Sequence, residues 1–400
     1  MNTDKPTFLC IASYFKGTAL LRACHELGIH TILLTCESLR DKDWPWECID
    51  EKFFMPNLYK QPDVTHAVSY LAREHRIDRI IPLDDFDVET AAALREHLRC
   101  PGMGDTTARY FRDKLAMRVQ AQDSGIKVPD FVGILNYAQV GEYADRVPAP
   151  WVLKPRSEAG SVGIKKVQNK DQLWELVHAL GDRQSYYLAE RYVRGDVFHV
   201  DAVVYDKKVL FSRAHRYGVP PFDVWNHGGV FSSQSIPTNT KLGKDLAKLN
   251  EKMVEAMGLV RGVTHTEFIQ GEDGELYFLE MAARVGGANI DRLIKAGTGV
   301  DLWREWARLE LAHLNKEKYT APKPENKHGG LLVCLSRDEY PDLSGFDAPE
   351  VIWTEGKEHH AAILISADSN ERVDQLIAEY KAKLQSDVLA VAPPTEKVVH

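Results

Sequence analysis

The chain has 400 residues, 44% hydrophobic and 27% charged, and carries a formal net charge of −8. These values exclude collagen-like, disordered and disulfide-scaffold classes, and the length suggests two or three domains with enough apolar material for a sizeable core. A mildly acidic balance disfavours a nucleic-acid binder, and no apolar run approaches the ~20 residues of a membrane span.

Asp4 and the brevity of the apolar run Phe8–Tyr14 argue against a secretory signal. The cysteines Cys10, Cys24, Cys36, Cys48, Cys100 and Cys334 form no C-x-x-C pair, so free thiols in a reducing cytoplasm are expected. The first hundred residues alternate strand and helix patterns. Phe8–Ser13, Thr31–Thr35 and Ile77–Leu83 read as buried strands, and Gly17–Leu27, Ala67–His75 and Glu89–Leu98 as helices. This rhythm implies a parallel sheet with crossover helices. It has no G-x-G-x-x-G, so nothing favours a dinucleotide.

After the break at Pro101–Gly104, one helix is expected from Thr107 to Ser124, closed by Gly125. Strands at Trp151–Pro155, Ile164–Val167, Tyr186–Arg191, His199–Tyr205 and Val209–Ser212 suggest a small antiparallel sheet inserted there. Leu242–Met257 is an amphipathic helix, Gly262–Met281 a hairpin and Val300–Asn315 a further helix. Tyr319–Lys327 has the texture of a linker, and the rest carries strands at Gly330–Leu335 and Ala361–Ser366 and a helix at Asn370–Leu384.

The hairpin is the most informative stretch. Asp273-Gly274 suits a two-residue type I′ turn, which pairs Glu272 with Glu275 and Glu267 with Glu280. Two like charges directly opposite each other destabilise a sheet unless something neutralises them. Either a divalent cation is shared by Glu267 and Glu280, or both point to solvent. Phe268, Ile269, Tyr277 and Phe278 favour a buried hairpin and hence a partner for the carboxylates. Oxygen donors from few protein groups suit Mg²⁺ held together with phosphates.

Strand Trp151–Pro155 runs into a loop of small residues, Ser157, Ala159, Gly160, Ser161 and Gly163. Such a loop can turn its N–H groups to phosphate oxygens or simply connect two strands. Lys154 adds a positive charge next to it, and Arg284-Val-Gly-Gly287 offers a guanidinium beside a flexible backbone. The stretch 213–229 mixes Arg, His and aromatics, and either lines a small pocket or forms a surface excursion; His215 and His227 have no carboxylate or cysteine at ligand spacing. His359-His360 reads as a solvated strand end.

In chain order, Asp113-Lys114, Val152-Leu-Lys154-Pro, Ser157-Glu-Ala-Gly-Ser-Val-Gly163, Glu190-Arg-Tyr-Val193, Gly195-Asp-Val-Phe-His-Val-Asp201, Glu267-Phe-Ile269 and Glu280-Met-Ala-Ala-Arg284 resemble the ATP-grasp superfamily, in particular its carboxylate–amine ligases and the biotin carboxylase-like group. The resemblance covers roughly residues 1–310. It implies a mixed α/β and α+β fold. A Rossmann-like domain over 1–108 would precede an ATP-grasp domain over 109–320, with a lid inserted at about 150–212, and an α+β unit over 321–400 would follow.

It also implies roles. Lys114 and Lys154 would contact ATP phosphates. Ser157, Gly160, Ser161 and Gly163 would belong to the lid over them, mobile like the stretch 214–232. Glu190, Tyr192 and Val193 would belong to the adenine hinge, Ile269 would pack on the base, and His199 would approach the ribose. Glu267 and Glu280 would hold Mg²⁺ or, in its place, Mn²⁺. Arg284, with Lys154 and Glu280 in the catalytic set, would stabilise the transferring phosphoryl group or orient the acid substrate. The family's usual Asn, two residues after the second Glu, is Ala282 here, and Asn289 or a water is its candidate substitute.

The activity implied is ATP-dependent joining of a small carboxylic acid, an amino acid foremost, to an amine through an acyl phosphate, with no membrane or nucleic-acid partner. A carboxylase or nucleotide-biosynthesis ligase of the same fold, and a non-catalytic ATP sensor, are the alternatives. A homodimer is the commonest assembly for such a chain.

Overall fold

The computed structural model describes residues 5–160, 162–222, 224 and 228–390. The N-terminal domain has the expected parallel sheet. Strands β1 (Thr7–Ala12), β2 (His30–Cys36), β3 (Glu51–Met55) and β4 (Arg79–Pro82) lie in the order β3-β2-β1-β4. Its core joins Leu9, Ile11, Ile32 and Leu34 to Val64, Val68, Ala91 and Leu94 of the crossover helices. β3 escapes the sequence pattern because it is short, begins Glu-Lys and buries no residue fully.

Two antiparallel sheets follow. β5 (Phe131–Gly133), β6 (Trp151–Pro155), β7 (Lys165–Val167) and β8 (Tyr187–Arg191) form a four-stranded sheet in the order β5-β8-β6-β7. Helices Tyr137–Arg146 and Lys170–Leu180 pack Val140, Leu173 and Val177 onto Trp151, Leu153, Val167 and Ala189. The second sheet has eight strands in the order β13-β12-β9-β10-β11-β14-β16-β15. These are β9 (Gly195–Tyr205), β10 (Lys208–Tyr217), β11 (Phe231–Ser235), β12 (Gly262–Gly271), β13 (Leu276–Ala282), β14 (His328–Leu335), β15 (Val351–Lys357) and β16 (His360–Ala367).

The sequence-based expectation of one small sheet through Ser212 is therefore corrected. β9 and β10 leave the lid for the large sheet, because Val197–Val204 is buried on both faces and needs a layer on each side. The strands beyond residue 320 extend the same sheet through the pairing of β11 with β14, instead of standing alone. The helix expected over Thr107–Ser124 is two, Asp105–Arg109 and Lys114–Asp123. Asp113 is extended between them, and its carboxylate caps the second by accepting from Leu115 N–H (2.9 Å) and Ala116 N–H (3.3 Å).

One face of the large sheet packs Phe198, Val200, Phe268 and Phe278 on helix Lys241–Met257, which Thr240 caps and Gly258 ends at φ +76°. The other face meets the N-terminal domain and helices Ile290–Thr298 and Leu302–Leu314. Helix Asn370–Asp387 covers β14 and β16. All six cysteines are free, and among the described residues no helix is long and apolar enough to cross a membrane.

A buried ion pair ties the domains together. Glu310 Oε2 accepts from Arg79 Nε at 2.9 Å and from Arg261 Nε at 2.8 Å, while Arg79 Nη2 lies 2.8 Å from His313 Nδ1. Removing the carboxylate leaves two guanidinium groups without their counter-ion. Glu310→Ala is expected to lower the unfolding free energy by about 3–5 kcal/mol; urea unfolding at neutral pH checks this, and an unchanged midpoint would show that Glu310 does not hold the domains.

Candidate active site

The hairpin β12–β13 brings its two carboxylates together by a route the sequence does not disclose. The turn holds three residues, 272–274. Gly271 N–H donates to Glu275 O and Gly274 N–H to Gly271 O, both at 2.9 Å, with Gly274 at φ +78°. Phe268 consequently faces Phe278, one residue away from the two-residue-turn register. Leu279 then bulges out of the ladder and restores it, so Glu267 and Glu280 are partners after all. The Leu279 carbonyl accepts a hydrogen bond from Arg118.

Each carboxylate has found a different partner. Lys114 Nζ stands 3.0 Å from Glu280 Oε2. Burial opposes ionisation of Glu280, but the Lys114 charge prevails and holds it below the ordinary carboxylate range. Tyr217 OH donates to Glu267 Oε1 at 2.9 Å, and His265 Nε2 lies 3.6 Å from the same oxygen. Burial and the neighbouring Glu267 push the Tyr217 phenol well up, so it remains a donor.

Lys114 also reaches the lid. Its ammonium donates to Glu158 O at 2.6 Å, its N–H donates to Arg156 O at 2.8 Å, and Arg156 pairs with the capping Asp113. Arg112 Nη2 donates to Ser157 O at 2.5 Å. The loop start 157–159 is thus folded onto the helix that carries Lys114. Gly160 and Gly163 have φ +65° and +72°, conformations glycine adopts without strain; Ser161 lies outside the described residues, as does His227.

Lys154 is buried on β6 and pairs with Glu190 Oε1, while Arg118 Nε holds Glu190 Oε2 at 2.9 Å. Burial pulls the Lys154 ammonium down to about 8, with the Glu190 charge offsetting part of the effect. The Glu190 side chain is therefore the centre of a buried ion triad. Residues 192–194 link β8 to β9, with Tyr192 N–H donating to Pro150 O at 3.0 Å. Ile269 is buried beside Val193 and Val197 in one cluster.

Arg284 is anchored to the N-terminal domain. It pairs with Asp85 and donates from Nη1 to Val285 O at 2.9 Å. Burial opposes both charges, but each holds the other ionised. Lys16 pairs with Asp84 at 3.2 Å on the same turn. Between the 15–19 turn, residues 286–289, helix Ile290–Thr298 and β16 lies a cavity of about 930 Å³. Its polar wall includes Lys16, Asn289, Asp291, Arg292, Lys295 and Glu325. Asn289 sits at the helix start, whereas Ala282 pairs with His265.

His199, expected near the ribose, lies inside the large sheet. It is wholly buried, with Nδ1 2.6 Å from Asp201 and Nε2 2.7 Å from Ser233, so both ring nitrogens are engaged inside the sheet. Asp201 Oδ1 also meets His265 Nδ1 at 2.8 Å, and burial of His265 is outweighed by Asp201 and Glu267, which raise it to about 9. His199, Asp201, His265 and Tyr217 were not singled out as a network. Polar residues at alternate positions of otherwise apolar strands (His199/Asp201, His215/Tyr217, His265/Glu267) were the available signal. The run Asp84-Asp85-Phe86-Asp87 was another, since it follows a parallel strand at its carboxyl end, where open α/β sheets place ligands.

Residues 147–291 match the family model for the ATP-grasp domain. That segment is an ATP-grasp domain. Over 371 residues, 89% of this chain and 87% of the relative, it is 25% identical to an L-arginine-specific L-amino acid ligase of Bacillus subtilis. Its fold is similar to that of an L-amino acid ligase from Bacillus licheniformis, with a TM-score of 0.78, 18% identity and coverage of 98% and 100% of the two chains. It is also similar to N5-carboxyaminoimidazole ribonucleotide synthetase from Thermus thermophilus, with a TM-score of 0.72, 18% identity and coverage of 96% and 99%. The matched segment 147–291 includes Lys154 of the four-stranded sheet and the two facing glutamates of the large sheet.

The turn that holds Arg284 gives a pH signature. Asp87 is fully buried, and burial raises its carboxyl to about 7 although Ser13 N–H (3.0 and 3.2 Å) and Oγ (2.5 Å) donate to it. The folded state holds this proton more tightly than the unfolded chain, whose value is about 4. The contribution of Asp87 to stability therefore falls as pH rises from about 4 to about 7 and is level above. Relative to wild type, Asp87→Asn should gain thermal midpoint between pH 5 and pH 8; a constant difference in melts across that range would contradict the burial-driven shift.

Proposed function

We propose that the protein is an ATP-dependent carboxylate–amine ligase that activates a small carboxylic acid, an amino acid foremost, as an acyl phosphate. The observation that carries this reading is the Glu267–Glu280 pair, set in a cleft with Lys114, Lys154 and Arg284. Two facing carboxylates form an oxygen-only donor set that fits Mg²⁺, and Ala282 adds no ligand. When bound there, Mg²⁺ neutralises charge on the phosphate oxygens.

The chain's own residues do the rest. Lys114 and Lys154 draw the phosphates in, from two elements; Lys114 now contacts Glu158 O and Lys154 contacts Glu190. The 157–163 loop closes the site against water, protecting a reactive acyl group. The hinge at 192–194 reads the base through its backbone, with Ile269 beneath. Arg284, fixed by Asp85, orients the acid, whose carboxylate oxygen attacks the γ-phosphorus as the bond to ADP breaks. The amine then attacks the acyl carbon, the bond to phosphate breaks, and the amine loses a proton. The cavity beside Arg284 has both charge signs on its wall, which suits a zwitterionic amino acid.

Incubation with ATP, Mg²⁺, pooled amino acids and hydroxylamine should yield ADP and one hydroxamate together. Glu280→Gln should lower both by at least about 100-fold. ADP released with bicarbonate alone would replace this reading by a carboxylase, and tight ATP binding without turnover by a sensor. Tyr217→Phe removes a donor to Glu267, so the Mg²⁺ concentration for half-maximal rate should rise by roughly tenfold with little loss of rate at saturation. An unaltered Mg²⁺ dependence would separate Tyr217 from metal binding.

A further inference from the structure

His30 opens β2, Glu51 opens the neighbouring β3, and His75 lies in the turn after helix Asp63–Leu71. Three segments far apart in sequence thus meet at the amino ends of the parallel strands. Asp84, Asp85 and Arg284 lie at the opposite, carboxyl end of the sheet. Glu51 bridges the two imidazoles, with Oε1 2.9 Å from His30 Nε2 and Oε2 3.2 Å from His75 Nε2. One ligand atom from each residue lies within 4.8 Å of the other two, and the rings are 15° from parallel.

We propose that His30, Glu51 and His75 form a divalent transition-metal site, suited above all to Zn²⁺. The donor set is two imidazole nitrogens and one carboxylate, which favours Zn²⁺ over the harder Mg²⁺. Metal–ligand bonds of about 2.0–2.1 Å in a tetrahedron put ligand atoms about 3.3 Å apart, and a small inward shift of one ligand atom from each residue, already within 4.8 Å of one another, reaches that spacing. Ligation at Nε2 requires the His30 ring proton on Nδ1, and there Asp50 Oδ1 stands at 3.6 Å. Asp50 is itself fixed, because its Oδ2 accepts from Thr31 N–H at 2.8 Å. The three residues are half-buried, leaving an access route and a fourth position for water. The other cluster of comparable composition, His199, Asp201 and His265, is fully enclosed and spends its polar atoms internally.

The ion would clamp β2, β3 and the turn before β4, away from the ATP-grasp cleft. Tag-free protein is stripped with chelator, titrated with Co²⁺ and Zn²⁺ with visible spectroscopy and metal analysis after dialysis, and melted with and without Zn²⁺. Wild type should show tetrahedral Co²⁺ bands displaced by Zn²⁺, retain about one Zn²⁺ per chain, and melt at higher temperature with Zn²⁺. Glu280→Gln should keep all three signals. His30→Gln and His75→Gln should lose them while the metal-free melting point stays near that of wild type, and Asp50→Asn should weaken Zn²⁺ binding by about 10-fold. Absence of Co²⁺ bands in wild type, or their retention in both histidine variants, would overturn the site and leave a hydrogen-bonded His–Glu–His trio.

Discussion

Two negative charges held opposite one another on one face of a buried hairpin are the constraint around which the cleft is built. Left alone, Glu267 and Glu280 would destabilise the β12–β13 pairing. Each neighbouring element contributes relief: Lys114 from the helix behind Asp113, Tyr217 from β10, and His265 from β12 itself. His265 is in turn held by Asp201, and Asp201 by His199. The polar face of the sheet is thus a chain of consequences from one pair of residues. The opposite face, with Phe198, Phe268 and Phe278 against helix Lys241–Met257, is ordinary apolar packing.

The same economy governs the lid. Asp113 stands between two helices, caps the second and pairs with Arg156, so the residue that sets the position of Lys114 also fastens the strand that carries Lys154. Lys114 then binds a lid carbonyl and a sheet carboxylate at once. An anion arriving between lid and sheet competes for a lysine already committed to both. Buried Lys154, with its proton affinity lowered by burial, gains more from such an anion than an exposed lysine would.

Much of this was readable in the sequence where a local pattern is also a global one. The β-α-β rhythm, the amphipathic helix over 241–257 and the Glu267–Glu280 pairing follow from periodicity and turn chemistry. The pairing was reached through a turn one residue too short, and the Leu279 bulge corrected the register; a bulge is set by tertiary packing and leaves no mark in the turn. The distribution of strands between lid and sheet was hidden because it depends on burial of both faces of β9. The side chain of Glu190 pairs with Lys154 and Arg118, and that of His199 with Asp201 and Ser233; the partnerships of Glu190 with Lys154 and Arg118 and of His199 with Ser233 join residues dozens of positions apart, which local pattern does not encode.

A fold shared by several chemistries does not select the substrate, so selectivity has to come from what differs around the common nucleotide cleft. The cavity beside Arg284 is walled by the 15–19 turn of the N-terminal domain, by residues 286–289 of the central part, and by Leu364 and Ser366 of β16. Its shape therefore depends on how three parts of the chain are held together. The Asp85–Arg284 pair fixes one junction and Glu310 with Arg79 and Arg261 another, both as buried charges that tolerate little displacement. β16 joins through the continuous eight-stranded sheet. On the proposed reading, an acid bound there would be measured against a frame set by ion pairs and strand pairing, while the nucleotide half would need only its two lysines and two glutamates. Substrate choice can thus change through the frame while the phosphate chemistry is left intact.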